Sequence, residues 1–244
     1  MCPVLLKIGP LTIYSYGLML ALAFFAATYL ASRAARIKGI SPDLITDFCF
    51  WVLISGIVGA RLFYVLLNLD YYFDNPLEII MLSHGGLAWY GGLVFAIGTG
   101  IFYLKIHKQN FALILDLIIP YVALGEAMGR IGCLLNGCCY GKAASWGLYF
   151  PVHKAVLIPT QLYSSIILLI IFLILRKIQI KTNKQLIVFF SYLIMHSIGR
   201  FFIEFLRADS KPLFLNLTIF QYMSIFVFLA GFVGLLSSRC KSHS

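Results

Sequence analysis

Long apolar stretches alternate with short polar segments along almost the whole chain. A helix needs about 17–25 mostly apolar residues to cross the hydrocarbon core of a bilayer, which is roughly 30 Å thick. Stretches of about this length predict seven membrane-spanning helices, near residues 12–31, 46–68, 86–104, 111–129, 160–175, 185–206 and 216–236. The predicted fold is therefore an all-α integral membrane protein.

The composition agrees with this prediction. Of the 244 residues, 61% are hydrophobic and only 11% are charged, whereas soluble domains average about 25% charged residues. We expect a single transmembrane domain over residues 1–244, because no repeat or separate soluble segment is evident. The longest connection, at about 130–159, mixes glycine and proline with aromatic residues. Such a mixture is typical of a compact loop at the membrane interface.

Basic residues between the predicted spans are distributed unequally over the two sides. One side carries Arg33, Arg36, Lys38, Lys105, Lys108, Arg176, Lys177, Lys181, Lys184, Arg239 and Lys241. The opposite side carries Lys7, Arg130, Lys142, Lys154, Arg207 and Lys211. Because short cytoplasmic loops hold the excess of Lys and Arg, we expect the amino terminus outside and the carboxyl terminus in the cytoplasm. The net charge of +10 then reflects topology and gives no support to nucleic-acid binding.

Several ionisable residues lie inside or at the ends of the spans, where they usually face a cavity, form pairs or serve function. Arg200 and Glu204 are four residues apart, so they share a helix face and can pair, and Arg207 follows three residues later. A structural ion pair and a functional site explain this row equally well. The full set is Arg61, Asp116, Glu126, Arg130, His196, Arg200, Glu204 and Arg207.

Arg130 is predicted at the same outer level, within a glycine- and cysteine-rich run over residues 129–141. The acids near it in this arrangement, Glu204, Asp209 and Glu126, are too few to neutralise all the arginines. A guanidinium presents a planar fork that suits phosphate, so a phospholipid headgroup is the anion we expect. The glycines allow backbone N–H groups to approach such a ligand, although small residues also permit close helix packing.

A second glycine-rich run, residues 84–93, opens the third span. Each glycine weakens a helix by about 1 kcal/mol relative to alanine, so the run predicts close backbone approach or a broken helix. Tyr90 lies in this run, and Tyr16 enters the first span from the same side. Tyrosines at this level are also typical of the aromatic belt of membrane proteins.

Three of the six cysteines, Cys133, Cys138 and Cys139, lie close together in sequence. Structural zinc normally takes four ligands with pairs two to four residues apart, and here a second pair is missing, with His153 as the only further candidate. A zinc site is therefore the less favoured interpretation. A disulfide from Cys133 to either neighbour and buried free thiols both stay open.

In their order and spacing these motifs resemble the bacterial prolipoprotein diacylglyceryl transferases, a family of seven-span inner-membrane enzymes. The family signature usually reads Gly-Arg-x-Gly-Asn-Phe-x-Asn-x-Glu-x-x-Gly, and the chain matches it at Gly129, Arg130, Gly132, Asn136 and Gly141. Further stretches similar to family motifs lie at 16–19, 59–61, 85–93, 159–163 and 199–207.

The chain also departs from the family pattern at four positions. Cys133 stands where the signature has Asn, Leu134 where it has Phe, and Cys138 where it has Glu. Tyr90 stands where many members carry a histidine discussed as the catalytic base. An unperturbed tyrosine has a pKa of about 10, so the departures put the identity of the base in question.

The resemblance implies transfer of the sn-1,2-diacylglyceryl group of phosphatidylglycerol to the lipobox cysteine thiol of a preprolipoprotein. It implies a thioether product, a released glycerol phosphate and a location in the bacterial cytoplasmic membrane. Expected partners are phosphatidylglycerol, the lipobox peptide and membrane lipid, with no nucleic acid, no metal and no other cofactor. Expected catalytic residues are Arg130, Arg200, Tyr90 and Tyr16, and expected substrate-binding residues are Arg130, Asn136, Gly141, Glu204 and Arg207.

A transporter or lipid-binding membrane protein that holds an anion with the same arginines is the alternative. Seven spans with intramembrane charges suit that class as well. Against it, the chain shows no inverted repeat, and its polar residues gather at the outer end instead of the bilayer midplane.

Overall fold

A computed structural model of the chain describes residues 1, 3–8, 11–81, 85–182, 184–208 and 212–240. His84, Asp209, Lys211 and Lys241, which the sequence analysis uses, lie outside these residues. The described part contains seven helices that are long and apolar enough to cross a membrane. The predicted number of spans is confirmed, and the protein is a multi-pass membrane protein.

The long helices follow the apolar stretches closely in position. Two short helical segments, α3 and a 3-10 helix, lie between the second and third spans. The bounds are α1 Ser15–Ile37, α2 Pro42–Leu67, α3 Leu69–Asp74, the 3-10 helix Pro76–Ile80, α4 Trp89–Ile106, α5 Phe111–Asn136, α6 Thr160–Lys181, α7 Ile187–Glu204 and α8 Ile219–Cys240.

The described residues are mostly helical, and they also form three small antiparallel sheets that the apolar pattern does not predict. Each sheet is a pair of neighbouring strands. The pairs are β1 Val4–Ile8 with β2 Leu11–Tyr14, β3 Ala143–Phe150 with β4 Ala155–Leu157, and β5 Pro212–Phe214 with β6 Leu217–Thr218. Short hairpins of this kind satisfy the backbone of connecting segments without contributing to the apolar pattern that predicts spans.

Several predicted boundaries are wrong. The helix of the fourth span continues to Asn136, so the connection predicted from residue 130 starts at residue 137. The helix of the fifth span continues to Lys181, beyond its apolar stretch. The third begins at Trp89, because Gly85 and Gly86 have φ angles of 81° and 77°, which a right-handed helix does not allow. Apolar patterns mark the lipid-facing length of a helix, and helices extend beyond it.

The chain divides into two compact units. One comprises residues 1–31 with 115–244, and the other comprises residues 32–114. In the first, α5, α6 and α7 surround a core cluster made of Ile119, Ala123, Ile171, Leu175, Val188 and Tyr192. The expectation of a single transmembrane domain stays a prediction.

In the second unit, α2 and α4 pack backbone against backbone at the glycine-rich start of α4. A Cβ atom added to Gly91 would lie 2.2 Å from the Cβ atom of Phe63 and 2.5 Å from the carbonyl oxygen of Gly59. The Ala88 N–H donates to the Ala60 carbonyl oxygen at 2.9 Å. Close backbone approach, one of the two explanations offered for this run, is therefore present.

Gly91→Ala should destabilise the protein, since no methyl group fits between α4 and α2. Overpacking of this kind costs about 1–3 kcal/mol, which should lower the midpoint of thermal unfolding in detergent. Gly98→Ala is the matched control on the same helix, because nothing lies within 4 Å of a Cβ atom there. Equal midpoints for the two variants would contradict the packing argument.

Candidate functional site

A buried carboxylate binds two arginines at the end of α7. Glu204 is only 3% exposed. Its Oε2 atom lies 2.8 Å from Nη2 of Arg200 and 3.9 Å from Nε of Arg207. The Thr218 hydroxyl donates to Oε1 at 3.1 Å. The pairing expected from the helical spacing is present, and burial of the shared carboxylate fixes the positions of both arginines.

Arg130 and Arg200 line one small cleft within the first unit. The guanidinium carbon of Arg200 also stacks on the Phe220 ring, at 5.1 Å from its centroid. Side chains of α5, α6 and α7 form the walls, so the cleft is polar where the arginines reach it and apolar elsewhere. The lining residues are Arg130, Ser164, Ile167, Leu168, Ile171, His196, Gly199, Arg200 and Ile203.

Arg130 differs from the other two arginines in its electrostatic surroundings. It is half-buried, and no carboxylate of the described residues lies within ion-pair distance of it. Glu204, by contrast, is already shared between Arg200 and Arg207. A partly buried cation without a carboxylate partner is costly, so this end of the cleft favours an anionic ligand.

Glu126 and His196 form a second polar pair beside this cleft. The Nε2 atom of His196 lies 3.2 Å from Oε2 of Glu126, and the His196 ring packs 5.2 Å from that of Tyr192. Glu126 therefore faces His196. The sequence marks both as ionisable residues in spans, but nothing in their spacing predicts the pair, because they belong to α5 and α7.

Side chains of α6 donate hydrogen bonds to carbonyl groups of the segment that follows α5. The Gln161 amide donates to the Cys138 carbonyl oxygen at 2.6 Å, and the Thr160 hydroxyl donates to that of Cys139 at 2.7 Å. The Gly141 N–H donates to the Ile158 carbonyl oxygen at 2.9 Å. A Cβ atom on Gly141 would lie 2.7 Å from the Leu206 carbonyl oxygen. Packing therefore accounts for this glycine, and its contact with a substrate stays a prediction.

The three clustered cysteines come together at the end of α5. The Sγ atoms of Cys133, Cys138 and Cys139 all lie within 4.8 Å of one another. They are partly buried free thiols in this structure, without a disulfide. A hydrogen bond from Cys133, reinforced by the nearby charges of Arg207 and Arg130, holds the pKa of Cys139 below its usual range. A negative charge on this sulfur is therefore favoured.

The remaining predicted residues are Tyr16, Asn136 and Tyr90. Tyr16 and Asn136 belong to the first unit, and Tyr90 belongs to the second. Tyr16, in the first turn of α1, has Arg130 and the three cysteines as its electrostatic neighbours. Asn136 is the last residue of α5. Tyr90 belongs to the second unit, where it is 69% exposed and its ring packs edge-on against Trp89 at 5.4 Å.

Two of the intramembrane ionisable residues serve local structure. Arg61 donates to backbone carbonyl groups of the segment before α4, among them Ile79 at 2.9 Å and Gly86 at 3.0 Å. An Oδ1 atom of Asp116 accepts the Phe189 N–H at 2.8 Å in the first turn of α7. Each side chain thus satisfies backbone groups that a helix end or a loop leaves unpaired.

The sequence model of the family described as prolipoprotein diacylglyceryl transferase matches residues 3–237 of the chain. The chain belongs to this family. Three relatives carry the name phosphatidylglycerol–prolipoprotein diacylglyceryl transferase. The enzyme of Clostridium tetani is 35% identical, with 95% of each chain covered. That of Lactiplantibacillus plantarum is also 35% identical, with 97% of this chain and 89% of the relative covered. That of Bacillus velezensis is 31% identical, with 99% and 94% covered.

Membership in the diacylglyceryl transferase family covers both units of the chain. The stretches recognised by resemblance therefore belong to one full-length match. Within the first unit, the signature arginine Arg130 and the Arg200 of the later motif line the same cleft.

Glu204→Gln should destabilise the protein strongly, because it removes the carboxylate that Arg200 and Arg207 share. Removal of one partner from a buried ion pair costs about 3–5 kcal/mol. The midpoint of thermal unfolding in detergent measures the effect. Asp74→Asn makes the same charge change at an exposed position and should leave the midpoint nearly unchanged. A similar small shift for both variants would show that the shared carboxylate does not stabilise the protein.

Proposed function

We propose that this membrane transferase moves the sn-1,2-diacylglyceryl group of phosphatidylglycerol to the cysteine thiol of a prolipoprotein lipobox. The product is a thioether, and glycerol phosphate is released. Family membership over nearly the whole chain supports this reaction, and so do the names of relatives at 31–35% identity. No separate cofactor is needed to balance the transfer, because the thiol sulfur replaces the phosphate oxygen on the glyceryl carbon.

The single observation that carries the proposal is the electrostatic position of Arg130. It lines a cleft within spans and has no carboxylate within ion-pair distance among the described residues. The phosphate of phosphatidylglycerol supplies the missing negative charge. As the bond from the glyceryl carbon to the phosphate oxygen breaks, charge grows on that oxygen. A guanidinium fixed before the reaction stabilises this charge most in a water-poor site.

Arg200 is the second cation that we propose at the phosphate, since it lines the same cleft. Glu204 holds Arg200 from the other side at 2.8 Å and so orients its guanidinium. Arg207 shares that carboxylate at a longer distance, which suits a weaker contact at the rim of the headgroup. In this assignment Glu204 is a positioning residue that acts through the two arginines.

Tyr16 and Asn136 are proposed to orient the substrates. Tyr16 has Arg130 among its electrostatic neighbours, and we assign its hydroxyl to a phosphate oxygen held by that arginine. Asn136 ends the helix that carries Arg130, and its amide suits hydroxyl groups of the glycerol headgroup. The proposed role of Tyr90, positioning the thiol by a hydrogen bond, rests only on its place in the glycine-rich sequence motif over residues 84–93.

We also propose that the protein lies in the cytoplasmic membrane with its amino terminus outside. The distribution of Lys and Arg between the spans supports this orientation. Arg130 and Arg207 then lie toward the outer surface, where an exported prolipoprotein presents its lipobox. The substrate thiol and the lipid headgroup reach the site from the same side.

Arg130→Ala should abolish transfer while the protein stays folded, because the phosphate loses its main cation. Arg130→Lys keeps the charge but loses the bidentate fork, so strong impairment is expected for it too. The measurement is thioether formation on a lipobox peptide by purified protein with phosphatidylglycerol. Arg36→Ala, at the exposed opposite end of α1, is the control and should retain activity. Near wild-type turnover of Arg130→Ala at saturating lipid would refute the assignment.

The orientation is tested by cysteine labelling in intact cells. A membrane-impermeant thiol reagent should label a cysteine introduced at Asn75 and should not label Cys240. Each cysteine is tested in a background in which the other cysteines are serine. Labelling of Cys240 but not of position 75 would reverse the proposed orientation.

A further inference from the structure

Three sulfur atoms converge at a point where the family signature has other donor groups. The signature usually carries Asn and Glu where this chain has Cys133 and Cys138. Both departures are to cysteine, and Cys139 adds a third thiol beside them. This chain thus has sulfur in place of both the amide and the carboxylate of the signature. The fold brings all three Sγ atoms within 4.8 Å of one another.

The spacing of the sulfurs suits a metal ion. A tetrahedral zinc site has Zn–S bonds of about 2.3 Å, which places its sulfurs about 3.8 Å apart. Sulfurs within 4.8 Å of one another are within about 1 Å of that spacing. Catalytic zinc sites use three protein ligands and keep a fourth position open, whereas structural sites use four. The missing second cysteine pair therefore argues only against a structural site.

The backbone that carries these sulfurs is held in place from outside the cluster. Cys139 has a φ angle of +61°, a left-handed conformation that costs a non-glycine residue about 1–2 kcal/mol. Hydrogen bonds from Thr160 to Cys139 and from Gln161 to Cys138 fix the two carbonyl groups. The conformation that turns Cys139 toward Cys133 is thus maintained by α6. Arg130 and Arg207, whose charges act on Cys139, offset the negative charge of a thiolate cluster.

We propose that Cys133, Cys138 and Cys139 form a three-thiolate binding site for a thiophilic divalent cation, of which zinc is the best match. Three thiolates and one divalent ion leave a net charge of −1, and the positive charges of Arg130 and Arg207 nearby make this charge less unfavourable. Soft thiolate ligands select such ions over magnesium and calcium.

The open fourth position has a direct use, and this step rests on the proposed function. A thiol that coordinates a metal is deprotonated, so the lipobox thiol releases its proton to water as its sulfur binds the ion. The sulfur lone pair then forms the bond to the glyceryl carbon. The bond from that carbon to the phosphate oxygen breaks, and its electron pair leaves with the phosphate. A metal-bound thiolate thereby removes the need for a strong protein base.

The test begins with metal binding by the intact protein in detergent. After exposure to zinc and removal of the excess, we expect about one zinc per chain. X-ray absorption at the zinc edge should show sulfur ligands at about 2.3 Å. Cys133→Ser and Cys138→Ser should each weaken zinc binding by more than roughly tenfold, since loss of even an outer partner of a ligand costs about 10–100-fold. Cys49→Ser, in α2, is the matched control and should bind zinc normally.

Two results would overturn the site. One is a wild-type protein that binds no stoichiometric zinc while its cluster thiols are free, and the other is a Cys133 disulfide found by counting thiols without reductant. The wild-type measurements need no variant, so misfolding of a serine variant leaves the proposal testable.

The role of the metal is separated from the proposed function by the peptide assay. EDTA should lower thioether formation by more than roughly tenfold, and added zinc should restore it. Full transfer by metal-free protein would refute the metal's role and leave the proposed function intact. Zinc held by the cysteines without any transfer would refute the proposed function and leave the metal site intact.

Discussion

An ionised side chain inside a bilayer needs an opposite charge or a set of backbone dipoles, and the charged residues of this protein are arranged by that requirement. Glu204 is the centre of the arrangement in the first unit, because its buried carboxylate holds Arg200 and Arg207 together. The Thr218 hydroxyl satisfies its other oxygen. With Glu204 committed to these partners, Arg130 has no carboxylate within ion-pair distance among the described residues, so we assign its charge to the lipid phosphate.

The same requirement separates structural from functional charges. The Arg61 guanidinium donates hydrogen bonds to carbonyl groups of the segment before α4, and the Asp116 carboxylate accepts a hydrogen bond from an N–H group at the start of α7. These two residues hydrogen-bond to backbone groups of the protein itself. Arg130 and Arg200 instead line a cleft, and this difference is why the proposed phosphate site contains them and excludes Arg61.

Cysteine thiols have two roles in the proposed chemistry. The substrate nucleophile is a thiol, and the protein gathers three thiols close to Arg130 and Arg207. Positive charge and coordination by a metal ion both favour a thiolate over a thiol. A site built this way activates sulfur by electrostatics, so the loss of the usual histidine at position 90 is compatible with the family's reaction.

The sequence by itself determined the number of spans, the pairing of Arg200 with Glu204 and the family. Apolar runs of membrane length and residues four apart on one helix are local patterns, and a helix turns them into geometry without further information. The sequence did not predict the start of α4, the end of α5 or the short strands of the described residues. These features depend on backbone conformations at glycines and on packing rather than on hydrophobicity. Only the tertiary structure decided that Glu126 faces His196 and that Arg61 is structural. It also decided that the three sulfurs lie within 4.8 Å of one another, because this depends on the backbone conformation after the end of α5, including the positive φ angle of Cys139.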